Sequence, residues 1–290
     1  MPRKCTFIVN PLSGGFSKAR VIEATSILRI NGFVPSVLEV TEPEAASLRA
    51  RRICEEEETP LIIVGAGDGT INCVVNGLSP GVATLGVIPF GTSNVLAREM
   101  GITSPSRAVE KIVAGVSRPV SVGCVEKGGA ERIFLLMAGV GYDGAVVKGV
   151  LTREKRALRK GAYLLSALRL LPAWDAGRLE VVADTGIVDC HSVIVCNAAK
   201  YGGEFVAAPG ASLFEPGFQV VCVVNGTRTT FLRLVCRLLL KKGAAGPGVV
   251  TFSASEVEIR GTKPLQSDGD FYCHAPVRIR AVPDFMRLIV

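Results

Sequence analysis

Up to residue 119 the chain alternates short apolar runs with segments whose apolar positions recur every three or four residues. Residues 5–9, 61–64 and 82–88 read as strands buried on both faces of a parallel sheet, with 35–40 as a shorter strand beside them. The intervening segments have helical spacing. Val21, Ile22, Ile27 and Leu28 recur within 17–30, and Ile71, Val74, Val75 and Leu78 follow Thr70, which can cap their helix. Thr41-Glu42-Pro43-Glu44 opens a helix through 52 as a capping box would, and a short helix follows over 95–100. Four strand–helix units in sequence predict right-handed crossovers and a doubly wound parallel sheet. Ligands of such sheets bind beyond the carboxyl ends of the strands, where the loops at 10–15, 41, 65–72 and 91–94 fall.

Past Pro119 the texture changes. Short β-like runs at 119–125, 131–138, 178–184, 188–196, 218–224, 249–254, 256–260 and 276–282 are separated by Gly, Asp and Pro turns, the pattern of an antiparallel sandwich. The expected organisation is an α/β domain over 1–119 and an all-β sandwich domain over 120–282. The closing run is apolar and basic, and its last residues, 283–290, are expected to pack back on the first domain.

The loops carry the chemistry. After the strand at 61–64, Gly65, Gly67 and Gly69 turn the backbone tightly and keep side chains off its amides. A strand, a glycine turn and a helix N-terminus together make an anion site, because free N–H groups and the helix dipole both point outward. Asp68 is out of place there. A bare carboxylate repels phosphate, so it holds a cation or an ordered polar group, or takes a proton; a plain turn with a solvated aspartate is the alternative. NPLSGG at 10–15 is a second phosphate-competent turn, and G-x-x-x-x-G-K-[ST] occurs nowhere in the chain. In SDGD at 267–270, Asp268 and Asp270 flank a glycine. On a strand they would point the same way as an acid/base or metal pair, whereas a turn is the alternative. GVGYDG at 139–144 matches G-x-G-x-x-G, but position 164 is Leu and the nearest acid is Glu154, which argues against a dinucleotide site.

Composition narrows the partners. A net charge of +7 on 290 residues favours an anionic one, and with few aromatics among the basic residues nucleic acid is the least favoured. Two segments, 152–171 and 231–242, are basic and amphipathic; each can lie on an anionic bilayer or pack as an ordinary surface helix. Nine cysteines without a C-x-x-C pair, and two histidines, speak against a zinc site or disulfide framework and for a reducing cytosol. The first residues lead straight into a strand without a signal peptide. The uncharged stretch 69–97 is broken by Pro80 and Pro89, so no membrane span is expected.

Taken in order, NPLSGG at 10–15, GDGT at 67–70, PFGTSN at 89–94, GVGYDG at 139–144, YGGEFVAAPGA at 201–211 and SDGD at 267–270 resemble the diacylglycerol kinase catalytic-domain family of lipid kinases. Its relatives include sphingosine and ceramide kinases and the bacterial soluble diacylglycerol kinases. GDGT alone also occurs in NAD kinases and is similar to the phosphofructokinase turn; the ordered series is more specific. The resemblance implies an NAD kinase/phosphofructokinase-like nucleotide domain and a β-sandwich that presents the lipid. It implies ATP-dependent transfer of the γ-phosphoryl group, with Mg²⁺, to a lipid hydroxyl such as that of diacylglycerol. It implies a cytoplasmic protein associated peripherally with an anionic membrane.

By position, the resemblance has Asn10, Pro11, Leu12, Ser13, Gly14, Thr41, Gly67, Asp68, Gly69, Thr70, Ile71, Asn72, Cys73 and Thr92 contact ATP. Asp270 stands where the family has the final glutamate of Asp-Gly-Glu, and is then the proton acceptor, with Asp268 beside it. Asp68 acts with Mg²⁺ and the phosphates, and some relatives assign it the base role. Three residues depart from the pattern. Ala66 replaces a second glycine, Asp270 is one methylene shorter than glutamate, and Glu215-Pro216-Gly217 replaces the Asp-then-Gly of a structural magnesium loop, leaving Glu215 as its candidate ligand. Two other readings compete. An NAD kinase-like enzyme gives the basic amphipathic segments no purpose, and a catalytically weakened nucleotide- or lipid-binding regulator is suggested by Asp270 and Pro216. Oligomeric state stays open, a homodimer included.

Overall fold

The computed structural model describes residues 2–150, 166, 169, 176–203, 205–240 and 242–290. It divides into two compact units, Met1–Ser121 with Pro283–Val290, and Val122–Val282.

In the first unit β1 (Arg3–Val9), α1 (Lys18–Ile30), β2 (Phe33–Glu39), α2 (Pro43–Glu56), β3 (Leu61–Ala66), α3 (Asp68–Val75), β4 (Thr84–Pro89), α4 (Val95–Glu99) and α5 (Pro105–Ala114) follow one another. The strands lie in the order β2-β1-β3-β4, all parallel. Phe7, Ile8, Val9, Ile62, Ile63 and Val64 have no exposed surface, as central strands covered on both faces require. Helix α1 packs with α5, and α2 with α3. Right-handed crossovers explain that pairing: the steps β1 to β2 and β2 to β3 run in opposite directions, which puts α1 and α2 on opposite faces. The reversal falls between β1 and β3, so the loops after these two strands flank the switch point. The segment Pro283–Val290 adds a fifth strand, with Arg287 and Leu288 pairing in parallel with Thr84 and Leu85. Phe285, Met286, Leu288 and Ile289 on it are buried.

Two helix starts differ from expectation. α2 begins at Pro43 behind Glu42, and α3 at Asp68 behind Gly67, so neither Thr41 nor Thr70 caps its helix. Pro43 suits the first helical position because it has no N–H to satisfy. Thr70 lies inside the first turn, where its hydroxyl accepts a hydrogen bond from Asn10 Nδ2 at 2.9 Å.

The second unit is built from β5 (Ser117–Lys127), β6 (Ala130–Phe134), β7 (Met137–Val140), α6 (Tyr142–Lys148), β8 (Leu179–Ala183), β9 (Gly186–Cys190), β10 (Ser192–Cys196), β11 (Lys200–Tyr201), β12 (Phe205–Val206), β13 (Phe218–Val223), α7 (Arg228–Leu239), β14 (Val249–Ala254), β15 (Glu256–Arg260), β16 (Pro264–Ser267), β17 (Asp270–His274) and β18 (Val277–Ile289). β14-β13-β10-β7-β16-β17 form one antiparallel sheet. β9, β8, β15 and the first residues of β18 pair antiparallel in another, and β5 and β6 make a hairpin. Val140, Val193, Val220 and Leu265 from the first sheet share one core with Phe134, Val181, Ile259 and Ile279. Phe134 stacks on Phe218 with ring centres 5.7 Å apart. This is a sandwich with side chains of two inner faces meeting. On the outer side of the six-stranded sheet, Phe231 and Leu234 of α7 cluster with Val221 and Val223.

The run 131–138 is broken at Leu135-Leu136, and GVGYDG turns from β7 into α6. β7 is antiparallel to both its neighbours, so that turn belongs to no βαβ unit. Of the basic segment 152–171 only Ser166 and Arg169 are described, so its amphipathic reading lies outside the described residues. The second such segment, 231–242, falls largely on α7. Among the described residues no helix is long and apolar enough to cross a membrane.

Candidate active site

Parallel pairing aligns the ends of the first four strands. Val9 is level with Glu39 and Gly65, and Ala66 with Pro89. The loops that follow therefore leave the sheet at one edge and touch. Asn10 accepts from the Leu12 amide at 2.8 Å and donates to Thr70. The Gly15 amide donates to Phe90 O at 2.6 Å. Gly67 and Gly91 meet backbone to backbone: a Cβ on Gly91 would lie 2.5 Å from the Gly67 Cα. Only two residues without side chains can close to that distance. No side chain caps α3 at Gly67, and the first turn of the helix lies at the edge of the sheet.

Asp68 is accounted for by α4. Its Oδ2 accepts from the Val95 amide at 3.0 Å and its Oδ1 from the Leu96 amide at 3.1 Å, the first two amides of that helix. Asn94, left-handed at φ 46°, clamps Gly91 with both ends of its side-chain amide, at 2.8 and 2.9 Å. The carboxylate in the glycine turn thus holds an ordered polar group, one of the options its position left open. Of the residues predicted to meet a nucleotide, Asn10, Ser13, Gly67, Asp68 and Thr70 gather here, with Pro11, Gly14, Gly69, Cys73 and Thr92 on the same loops or in α3. Leu12 is 73% exposed. Thr41 leaves the same edge after β2. Ile71 and Asn72 do not line the turn: both side chains are buried, and the Ile71 amide is bonded to Gly67 O.

The second acidic motif is a hairpin turn, not a strand. Asp268 and Gly269 link β16 to β17 with φ of 48° and 86°, so the turn reading holds and Asp268 and Asp270 do not stand side by side on a strand. The left-handed pair is what a two-residue hairpin needs. The Asp268 carboxylate faces the break at Leu135-Leu136, where Oδ2 accepts from Leu135 at 2.7 Å and Oδ1 from Leu136 and Met137 at 2.9 and 3.0 Å. Three charge-assisted bonds make it an anchor for the turn. Asp270, half-buried, opens β17 directly after it.

Residues 137–290 match the family model described as the YegS C-terminal NAD kinase beta sandwich-like domain, and 4–125 match the diacylglycerol kinase catalytic domain. A Staphylococcus carnosus diacylglycerol kinase is 30% identical over 279 residues, covering 93% of this chain and 90% of that one. The chain belongs to the diacylglycerol kinase family of lipid kinases. A family member from Mycobacterium tuberculosis is 28% identical over 300 residues, covering 99% and 94% of the two chains. The crystal structure of a diacylglycerol kinase from Bacillus anthracis shares the fold, with a TM-score of 0.80 at 22% identity over 99% of this chain and 96% of that one.

As a diacylglycerol kinase family chain it is a phosphotransferase with an alcohol group as acceptor. Glu215 lies in the turn before β13 and lines a cavity of about 480 Å³ with Asp184, Ser212, Gly217, Ser253 and Ser255. Both carboxylates are exposed there, and a carboxylate oxygen is the hard donor that suits a divalent cation such as Mg²⁺. Sequence reasoning passed over a further group. Asp143 of α6 is buried, and its carboxylate accepts from the Tyr201 hydroxyl and, at 2.8 Å, from Gln266 Nε2. Burial holds its pKa above the ordinary carboxylate range, and the two hydrogen bonds oppose that rise. Asp143 and Tyr201 sit inside motifs that had been singled out in the sequence; Gln266 had no signal beyond its place beside SDGD.

Proposed function

We propose that the chain transfers the γ-phosphoryl group of ATP to the hydroxyl of a membrane lipid of the diacylglycerol class. The first unit is the nucleotide domain and the sandwich the lipid-substrate domain. The observation that supports this reading most is the gathering of three loops at the switch point: Asn10 on Thr70, Gly67 against Gly91, and Asp68 on the start of α4. Phosphoryl transfer asks mainly for positioning and charge neutralisation. The first turn of α3 and the Gly14 amide of the 10–15 loop receive the phosphates. Asp68, a hard-oxygen carboxylate in the same turn, is the group that would hold Mg²⁺ at the phosphates. That ion, when bound, neutralises phosphate charge. Asp270 accepts the proton of the lipid hydroxyl, and Asp268 keeps the turn that carries it. Glu215 with Asp184 holds a second, structural ion.

Incubation with labelled ATP, Mg²⁺ and micelles of diacylglycerol, sphingoid base, ceramide or phosphatidylglycerol tests the reading. Label is expected in diacylglycerol. Label in the sphingoid base, ceramide or phosphatidylglycerol and not in diacylglycerol, or in nothing, overturns it.

In this reading the protein works in the cytoplasm and meets its substrate peripherally at an anionic membrane. Support comes from α7. Leu232, Val235 and Leu240 are 65%, 46% and 64% exposed beside Arg228 and Arg233, and residues 218–255 contain no Asp or Glu. Each cation at such a surface contributes about 1 kcal/mol, so Arg233→Glu, a change of two charges, is expected to weaken binding to phosphatidylglycerol vesicles about 10- to 30-fold. Sedimentation with vesicles measures this; undiminished binding removes α7 from the contact.

A further inference from the structure

We infer that Gln266 is a positioning residue for Asp270: it ties the Asp268–Gly269 peptide, in the turn that carries that acid, to the buried Asp143 and so holds the turn from which the acid projects. The inference rests on the proposed role of Asp270 as proton acceptor.

Gln266 lies on β16 and is 2% exposed. Its strand neighbour Leu265 enters the sandwich core, so Gln266 faces the other side of the sheet, under α6. The two ends of its amide have different partners. Nε2 donates to Asp143 Oδ2 at 2.8 Å, and Oε1 accepts from the Gly269 amide at 2.7 Å. A carboxylate takes only a donor and an N–H only an acceptor, so the side chain fits in one orientation. The other oxygen of Asp143 accepts from Tyr201. A continuous chain runs Tyr201, Asp143, Gln266, Gly269, and ends on the residue before Asp270.

The GVGYDG motif builds the far end of this chain. Gly139 is the cross-strand partner of Gln266, and a Cβ there would lie 1.9 Å from Asp143 Oδ2. The first glycine of the motif therefore makes room for a carboxylate of the same chain, and for no dinucleotide. At the near end, Gly269 has φ 86° and no side chain to define it, in the turn whose first half is anchored by Asp268. The hydrogen bond to the Gly269 amide sets the plane of the Asp268–Gly269 peptide, so it holds the turn one residue ahead of Asp270.

A catalytic group misplaced by about 1 Å can cost on the order of 10²-fold. Gln266→Met, which keeps length and packing but neither hydrogen bond, is expected to lower kcat about 10- to 100-fold with the KM for ATP unchanged. A structural defect would lower kcat in the same way, so the deciding measurement is the double variant. If Gln266 acts through Asp270, Gln266→Met adds almost nothing to Asp270→Asn in single-turnover assays; if the two losses multiply, the inference is overturned. It is also overturned if Gln266→Met turns over normally while Asp270→Asn is crippled. Full activity of Asp270→Asn by itself overturns the parent reading instead. Should Gln266→Met fail to fold, Tyr201→Phe removes a remote donor from the same chain. A smaller kcat loss, again absent in the Asp270→Asn background, is then expected, and a loss that multiplies overturns the inference.

Discussion

Asp270→Asn is expected to lower kcat about 10²- to 10⁴-fold while leaving the KM for ATP nearly unchanged, because it removes a proton acceptor and no phosphate contact. Asn has the size of Asp, so the hairpin is kept and the loss reports chemistry. Asp270→Glu restores the methylene that the family's glutamate has, and is expected to retain activity. The neighbouring carboxylate behaves differently. Asp268 accepts from Leu135, Leu136 and Met137, and an amide in its place offers one acceptor oxygen and a donor that faces other donors. Asp268→Asn should therefore lower Tm as well as kcat, at about 1–3 kcal/mol for each amide left unpaired. Steady-state kinetics in mixed micelles with thermal melts separate the two. Unchanged turnover in Asp270→Asn removes it as the base.

Asp68→Asn should have the second large effect, on nucleotide binding as well as rate. Both carboxylate oxygens are engaged by the first amides of α4, and the same carboxylate sits in the first turn of α3, where negative charge is favoured by the helix dipole. Asn can accept from only one of Val95 and Leu96, and its NH₂ then confronts the other. The cost is about 1–3 kcal/mol for the lost bond, and the loop from Gly91 to Asn94 shifts away from Gly67. The negative charge proposed to hold Mg²⁺ goes as well. Calorimetric titration with ATP in the presence and absence of Mg²⁺ is expected to show that the Mg²⁺-dependent gain in affinity has vanished, and turnover should fall at least about 100-fold. Normal affinity and normal turnover together would refute the role.

Much of the molecule was legible from spacing alone. The apolar runs at 5–9, 61–64 and 82–88 became inner strands, and the loops after them met because parallel register leaves no other place. What could not be read were bonds between residues far apart in sequence. Nothing near position 268 announces Leu135, and nothing near position 68 announces Val95. The SDGD motif was open between a strand and a turn, and the left-handed pair at 268 and 269 makes it the turn, since a hairpin this short admits little else. Thr41 and Thr70 looked like caps because caps are judged locally; Pro43 and the side chain of Asn10 decided otherwise. Gln266 was invisible for the same reason, as a buried amide acquires meaning only from the partners at its two ends.

The strand beside β4 has a consequence for biosynthesis. A ribosome that has released only the first 121 residues leaves Thr84 and Leu85 as a bare β-edge, because the segment that covers them, Pro283–Val290, follows the whole sandwich in the chain. Translation must run through the whole sandwich before the nucleotide unit can close. The nascent chain therefore carries a sticky edge for most of its synthesis, where chaperones would bind and where early termination yields an aggregation-prone fragment.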